Sequence, residues 1–333
     1  MYYENKIVTL KDIFATENII LDKGALVVDG RRYPILEDVI ILSGQEKQSD
    51  LVKNRLGRSA AEHVTGNDKD FAKDIQYTFG QEWNAHNKIL PEHRDEFSSY
   101  FDIIDICSLE SARICDLGCG SGRWSYFLKD TAKEIILVDF SDAIFAAREN
   151  LKGSDNCLFF MSDLKELPFK DDFAQFLFCL GVLHHLPTPC LDEVRGLKRF
   201  SKRLLIYLYY SLDNRPAHFR IALKGVDTLR AGLSKIRSAG FRKAFSLAGT
   251  LLIYIPLILL GRLFNLFGCG RSIPLYEGYN GKSAKRIEQD VYDRFFTRIE
   301  QRVSKIDIEG LKDTFSEVVV SEKMPYWHFL CKR

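Results

Sequence analysis

The stretch "ICDLGCGSGRW", residues 114–124, constrains the fold more than any other part of the chain. An apolar run that predicts a β-strand leads into three glycines within five residues. A phosphate-binding P-loop is excluded because no Lys-Ser/Thr pair follows the glycines. The dinucleotide fingerprint G-x-G-x-x-G also fails, since Arg123 stands at its third glycine position. Asp116 would repel a pyrophosphate, so the loop is better suited to a ligand with a cationic group such as an amine.

Residues 111–210 alternate between strand-like and helix-like segments. The predicted strands are "ARICDLG", "EIILVDF", "NCLFFMSD", "FAQFLFCLG" and "KRLLIYLYY", and the predicted helices are "RWSYFLKDTA", "DAIFAARENL" and "CLDEVRGLKRFS". This order predicts an α/β fold with a doubly wound, mainly parallel sheet. Its ligand crevice is expected at the carboxyl ends of the strands.

Two further acidic residues end predicted strands next to the glycine loop. Asp139 ends the second strand, where a carboxylate can accept hydrogen bonds from both hydroxyls of a ribose. Asp163 follows the third strand and could accept a hydrogen bond from an adenine amino group. Together the three acidic strand ends describe a site for a nucleoside that carries an amine and no phosphate.

The segments "DLGCGSG", "VDFS", "SDLKELPF" and "FCLGVLHHL", in this order, resemble the class I S-adenosylmethionine-dependent methyltransferases over about residues 110–210. The alternative, in which the glycines only make a tight turn between strand and helix, does not explain the ordered set. The resemblance implies a Rossmann-like core with S-adenosylmethionine as cofactor. It further implies that Asp139 holds the ribose, Asp163 and Leu164 frame the adenine, and Leu180 offers backbone near the sulfonium. Phe140 is a further predicted cofactor-binding residue. The methionine part would be surrounded by Asp116, Gly118, Cys119, Gly120 and Gly122.

Residues 1–47 predict a small β-rich unit, because "GALVVDGRRYPILEDVIIL" has the pattern of a hairpin with a D-G turn. It faintly resembles a zinc-ribbon-like segment of related enzymes but lacks the cysteines, so we expect no metal there.

Residues 48–110 are predicted to form a linker followed by helices. Within them "FGQEWNAH" resembles a stretch that precedes the domain in bacterial relatives of glycan and small-molecule pathways. Gln81 and Trp83 would then close over the cofactor, or, equally, the helix would bury its aromatics in the core.

The histidines of "VLHH" are candidates for catalysis. A related quinone O-methyltransferase branch has acidic residues here that hold a metal, but this chain has Gly181 and His184 at those places. Without carboxylates a site for a hard cation is not expected, and we predict no metal. His184 or His185 could act as a general base on an acceptor hydroxyl. The alternative is a histidine that caps or packs at the start of the next helix.

Residues 211–300 predict a helical insert that interrupts the sheet pattern. A basic stretch, residues 213–243, precedes an uncharged one at 244–261. The uncharged stretch could be a buried helical hairpin or lid, a membrane-surface helix supported by peripheral contact through 213–262, or a membrane span. Farther along, Tyr276, Tyr279, Lys282 and Arg294 could bind an anionic or sugar-like acceptor, or belong to a solvated charged helix. Residues 301–333 predict a helix and two strands that complete the sheet, with the last strand antiparallel at or near an edge.

Composition restricts the remaining choices. The net charge of +2 over 333 residues does not favour a nucleic-acid partner. The amino terminus has no basic and apolar leader pattern, so we expect a cytoplasmic protein, with peripheral membrane contact as an option. None of the eight cysteines forms a C-x-x-C pair, which favours reduced, buried thiols. The predicted function is methyl transfer to a small-molecule, sugar or lipid-linked acceptor, with O-methylation favoured. Alternatives are an RNA or protein methyltransferase and a non-catalytic module that binds S-adenosylmethionine.

Overall fold

The computed structural model describes residues 2–57, 88–236 and 238–333. These residues form an eleven-stranded sheet in the order β1-β2-β3-β4-β7-β6-β5-β8-β9-β11-β10. The strands are β1 (Ile19–Asp22), β2 (Ala25–Val28), β3 (Arg31–Leu36), β4 (Val39–Ile41), β5 (Arg113–Leu117), β6 (Glu134–Asp139), β7 (Cys157–Met161), β8 (Phe176–Leu180), β9 (Arg203–Tyr207), β10 (Glu317–Val320) and β11 (Phe329–Lys332). From β4 to β9 all neighbours are parallel, which confirms the doubly wound Rossmann-like sheet.

The central strands are apolar on both faces because helices and loops cover both sides of the sheet. Every residue of β7 and of β8 is buried. Such continuous apolar runs are typical of parallel strands inside α/β proteins. The sequence therefore shows these strands as unbroken apolar segments rather than as alternating ones.

The helices lie between and beyond these strands. They are α1 (Ile7–Phe14), α2 (Asp50–Arg55), α3 (His93–Tyr100), α4 (Ala143–Asn150), α5 (Cys190–Leu197), α6 (Ala217–Leu233), α7 (Ala239–Gly249), α8 (Ile255–Asn265), α9 (Tyr276–Tyr279), α10 (Ala284–Phe296) and α11 (Lys305–Glu309). Helices α7 and α8 are joined by a π-helical turn, Thr250–Tyr254, into one continuous helix.

The predicted helix over "RWSYFLKDTA" is wrong. The structure has a short 3₁₀ turn at Ser125–Phe127, followed by further turns. The side-chain amide of Asn156 donates to the carbonyl oxygens of Lys129 and Ala132, both at 2.8 Å. These carbonyls are therefore bound to the loop before β7 instead of continuing a helix.

The amino-terminal unit continues the main sheet. The predicted hairpin is present as β2 and β3, antiparallel around a turn at Asp29 and Gly30, and helix α1 precedes it. Strand β4 then pairs in parallel with β7, with Ile40 opposite Phe160. At the other end of the sheet, β11 pairs antiparallel with β9 and β10 forms the edge, as predicted for the last strands.

The insert has a small apolar core of its own. Tyr254 and Ile258 of the long helix pack with Val291, Phe295 and Phe296 of α10. The long helix, Ala239–Asn265, is long and apolar enough to cross a membrane, yet a third of its most apolar window is buried against the rest of the insert. A fully buried lid is therefore not what the structure shows.

Candidate active site

A cavity of about 1240 Å³ opens at the carboxyl ends of the parallel strands. Its walls include Leu117, Asp139, Leu180 and Tyr207, which are the last residues of β5, β6, β8 and β9. This is where open α/β sheets bind ligands, because the loops that follow the strands diverge there. The insert forms the opposite wall of the same cavity.

The glycine loop contributes Gly118, Cys119 and Gly120 to the cavity wall. Gly118 has φ +77°, and a Cβ added there would lie 2.4 Å from a methyl group of Val182. Any residue other than glycine would thus be strained and would also clash with the loop after β8. This glycine is required by both the backbone and the packing.

Gly122 of the loop and Asp116 of β5 lie away from the cavity wall. Gly122, at φ +72°, faces helix α4, where its Cβ position is 3.1 Å from Ala147. Asp116 is buried behind the loop and accepts a hydrogen bond of 2.7 Å from the Ser125 hydroxyl. Burial raises the pKa of Asp116 to about 7, although the Ser125 hydrogen bond opposes the shift. The Asp116 carboxyl group is therefore buried beneath the loop, and it supports the following turn through its hydrogen bond with Ser125.

Asp139 connects two loops at the cavity wall. One of its oxygens accepts from the Gly120 N–H at 2.8 Å, and the other accepts from the N–H and hydroxyl of Ser141, at 2.8 and 2.7 Å. Burial raises the pKa of Asp139, and these donors act in the opposite direction. Together with the backbone of Phe140, these donors fix the orientation of the carboxylate at the cavity wall.

Asp163 and Leu164 lie in the cavity wall after β7, and Phe140 lies there after β6. The Asp163 carboxylate accepts from the N–H of Lys165 at 3.0 Å and from the ammonium of Lys47 at 2.9 Å. Lys47 also pairs with Glu166 at 2.7 Å. The amino-terminal unit therefore supplies a cation that neutralises the acidic end of this wall.

The two adjacent histidines have different surroundings. His185 lines the cavity, and its Nδ1 lies 2.8 Å from the carbonyl oxygen of Ile299. A carbonyl can only accept, so Nδ1 carries the proton and Nε2 is the basic nitrogen. His184 is fully buried outside the cavity wall and stacks on Tyr209 with ring centroids 3.9 Å apart. Burial, with the neighbouring His185, lowers the pKa of His184 well below its usual value, so this ring is neutral.

The comparisons with known proteins agree with this geometry. A family model described as a methyltransferase domain matches residues 114–203. Residues 114–203 form a methyltransferase domain. The cofactor of this family is S-adenosylmethionine, and the donor set at the strand ends fits it, since acidic acceptors face the cavity where hydroxyl and amino groups would bind.

The methyltransferase domain is similar to parts of several known proteins. A demethylmenaquinone methyltransferase of Clavibacter sepedonicus is 26% identical over 127 residues, 37% of this chain and 52% of that protein. A tRNA U34 carboxymethyltransferase of Shewanella halifaxensis is 33% identical over 98 residues, 28% of this chain and 29% of that protein. The chain therefore spans about half the length of the first relative and less than a third of the second. A SAM-dependent methyltransferase structure from Aquifex aeolicus covers 35% of this chain and 66% of that chain, at 23% identity and a TM-score of 0.31.

On the insert side of the methyltransferase cavity, Tyr279, Lys282 and Arg294 line the wall. The ammonium of Lys282 lies 2.8 Å from Glu96, and Arg294 lies beside Tyr209 with 5.5 Å between its guanidinium and the ring centroid. Tyr276 is placed differently. It is buried against Gly261, where it seats α9 on α8, and it does not line the cavity.

Sequence reasoning missed several residues that the fold brings to the cavity. Trp124 and Tyr100 lie there with ring centroids 5.2 Å apart, and Tyr207 lies 5.1 Å from Tyr100. Glu96 pairs with Arg286 at 3.0 Å, and both residues line the cavity. Burial would raise the pKa of Glu96, but Arg286 and Lys282 together lower it to about 2. The tryptophan directly after the glycine loop was a usable signal, whereas the Glu96–Arg286 pair joins residues 190 positions apart and had none.

Two predicted cofactor residues, Gln81 and Trp83, lie outside the described residues. Across residues 2–57, 88–236 and 238–333, no group of three or more His, Cys, Asp or Glu side chains could hold a metal ion.

Proposed function

We propose that this protein transfers the methyl group of S-adenosylmethionine to an oxygen of a small-molecule, sugar or lipid-linked acceptor. The observation that carries the proposal is one cavity that is lined by Asp139, Asp163, His185 and the insert. A volume of about 1240 Å³ exceeds the usual range for a single small-molecule site, so it has room for a cofactor and an acceptor together.

In this proposal the cofactor lies along the strand ends. Asp139 would accept from the ribose hydroxyls, Asp163 and Leu164 would frame the adenine, and the backbone of Gly118 and Gly120 would border the methionine part. When bound, S-adenosylmethionine supplies an electrophilic methyl group on its sulfonium. The protein contributes position and exclusion of water, because an in-line displacement depends mainly on the alignment of two reactants.

His185 would take the proton of the acceptor hydroxyl. Its Nδ1–H is held by the Ile299 carbonyl, so Nε2 is the atom that accepts a proton. His184, the other predicted candidate, is neutral, buried and stacked on Tyr209, which suits a structural role. Lys282 and Arg294 would attract an anionic or sugar-like acceptor from the insert side.

Calorimetric titration with S-adenosylmethionine tests the cofactor site. Asp139→Asn is expected to weaken binding by about 10- to 100-fold, since a hydrogen bond to a charged group contributes about 1.5–3 kcal/mol. Asp130→Asn is the matched control, because Asp130 is 87% exposed and outside the cavity wall. Absence of binding by the wild type, or equal affinities for both variants, would contradict the proposed site.

The acceptor is tested with cofactor labelled with tritium on the methyl group. The protein is incubated with a cell extract, and the label is followed into small molecules, lipids and macromolecules. His185→Asn is expected to lower turnover by about 10²–10⁴-fold at unchanged cofactor affinity. His184→Asn should lower the melting temperature with little change in turnover of the folded protein. Label recovered only in RNA or protein would replace the proposed acceptor class.

A further inference from the structure

The long helix of the insert, Ala239–Asn265, has two faces with different surroundings. Its 27 residues extend about 40 Å at 1.5 Å per residue. We call it the apolar helix. One face is covered by the protein, and the other is open to solvent.

The inner face is held by α10 and α9. Tyr254, Ile258 and Gly261 are buried, and a Cβ at Gly261 would lie 2.4 Å from the Tyr276 ring. Helix α10 also carries Arg286 and Asp290, which belong to the charged network with Glu96. A spanning orientation would draw these charges into hydrocarbon at high cost. The packing therefore favours a helix that lies parallel to a surface.

The outer face is formed by large apolar side chains. Leu252 is 75% exposed and Phe267 is 77% exposed. Contiguous exposed apolar patches of this kind are rare on monomeric proteins and mark interaction sites. The exposed members of the outer face on the helix are Phe241, Leu247, Leu251, Leu252, Ile253, Leu259, Leu260, Leu263 and Phe264, and the outer face also includes Leu266 and Phe267 in the turn that follows the helix.

Positive charge surrounds this face. Residues 213–276 contain ten Lys and Arg but two acidic residues, Asp213 and Asp227. Both acids have partners, because Asp213 accepts from the Trp327 indole at 2.6 Å and Asp227 pairs with Arg230 of the same helix at 3.1 Å. The exposed cations of the region include Lys224, Lys235, Lys243 and Arg262. An apolar helix face flanked by basic residues is the pattern of helices that bind anionic membrane surfaces.

The outer face is continuous with the cavity. Leu229 of α6 and Ile253 of the apolar helix are each at least half exposed, and both line the cavity. The same cavity is also lined by Phe219, Leu223, Val226 and Leu257. These side chains of α6 and of the apolar helix form an apolar path along the wall of the cavity that Tyr209 and His185 also line.

We propose that the outer face of the apolar helix docks on an anionic lipid bilayer, and that the acceptor carries an apolar chain which enters the cavity along this path. The proposed docking rests only on the exposed face of the apolar helix and on the basic residues around it. The statement about the acceptor rests on the proposed function and narrows it to lipid-linked molecules.

Vesicle flotation with the full-length protein, in the presence of S-adenosylmethionine, tests the docking. Wild type is expected to float with vesicles of phosphatidylcholine and phosphatidylglycerol, and several-fold less with phosphatidylcholine alone or in high salt. The double variant Leu252→Glu/Leu263→Glu should bind anionic vesicles at least tenfold more weakly. The matched control is Val8→Glu/Ile306→Glu, which alters two residues that are 80% and 79% exposed outside the outer face and should bind as wild type.

Both double variants should keep the wild-type melting temperature and affinity for S-adenosylmethionine, since all four side chains are largely exposed and outside the cavity wall. Equal flotation of the two variants would overturn the docking. The docking would also be overturned if the wild type did not bind vesicles but formed a dimer in analytical ultracentrifugation, and if Leu252→Glu/Leu263→Glu disrupted that dimer.

The labelled-cofactor assay tests the acceptor. With a membrane fraction as source, tritium is expected in the chloroform phase, and label confined to the water phase would overturn the lipid-linked acceptor while leaving the docking intact. Failure of the proposed function would appear separately, as an absence of cofactor binding in calorimetry.

Discussion

Replacement of Gly118 by alanine tests how closely the glycine loop and the loop after β8 fit together. The left-handed backbone at φ +77° costs an alanine about 1–2 kcal/mol. The added Cβ would lie 2.4 and 2.9 Å from the two methyl groups of Val182 and 3.2 Å from its Cβ. Because the β-branched side chain has little freedom at χ1, rotation alone does not remove the contact and the backbone must shift. Such overpacking adds about 1–3 kcal/mol.

We therefore expect Gly118→Ala to lower the free energy of unfolding by about 2–5 kcal/mol. Urea titration followed by tryptophan fluorescence measures this, with an unchanged m-value as a check on the comparison. Gly30→Ala separates the two contributions, since Gly30 has φ +80° and no atom within 4 Å of the added Cβ. That variant should lose only the backbone strain of about 1–2 kcal/mol.

A double variant isolates the clash. Val182→Ala removes both methyl groups, so Gly118→Ala/Val182→Ala should recover about 1–3 kcal/mol relative to the sum of the single changes. The Val182 contact would not be the cause of the loss if Gly118→Ala lowered the free energy of unfolding no more than Gly30→Ala did. The same would follow if the double variant showed no coupling.

Two further predictions concern buried carboxyl groups. Asp116 has a pKa of about 7 in the folded protein and 3.8 as a free side chain, so the wild type should lose stability as pH rises from about 4 to 7. The free energy of unfolding of Asp116→Asn, relative to that of the wild type, should therefore rise by about 2–3 kcal/mol from pH 5 to pH 8 in urea titrations. A difference that does not change with pH would contradict the raised pKa of Asp116. Glu96→Gln leaves Arg286, whose side chain is 8% exposed, without one of its two carboxylates, and should cost about 3 kcal/mol in thermal unfolding at pH 7. Asp95→Asn on the exposed side of α3 is its control, and equal losses for both variants would show that the buried pair contributes nothing specific.

The amino-acid sequence is sufficient to predict the parallel core because the information there is local. Each strand of the core is a short apolar run, and the acidic residues at the carboxyl ends of β6 and β7 are placed at one edge of the sheet by the topology alone. Asp139 and Asp163 can therefore be assigned to the cavity wall from the sequence pattern. Asp116 shows the limit of this reasoning, since its position in the strand does not reveal that Ser125 covers it.

The remaining parts depend on contacts between distant segments. His184 and His185 are adjacent in sequence, yet one stacks on Tyr209 and the other binds the Ile299 carbonyl, a residue 114 positions away. The apolar helix is similar, because its inner residues Tyr254 and Ile258 are as apolar as its outer ones. No polar periodicity marks the covered face, so composition leaves lid, surface helix and span open together.

The parallel pairing of β4 with β7 affects how the molecule can be divided. A fragment that begins at the glycine loop would contain the residues that match the family model, but it would expose β7 as a new sheet edge. All five residues of β7 are buried in the intact protein, with neither charge nor proline to prevent pairing with another copy. The same cut would remove Lys47 and leave Asp163 facing Glu166 without the cation between them. The first 47 residues thus cover the β7 edge of the parallel sheet and complete one end of its cavity.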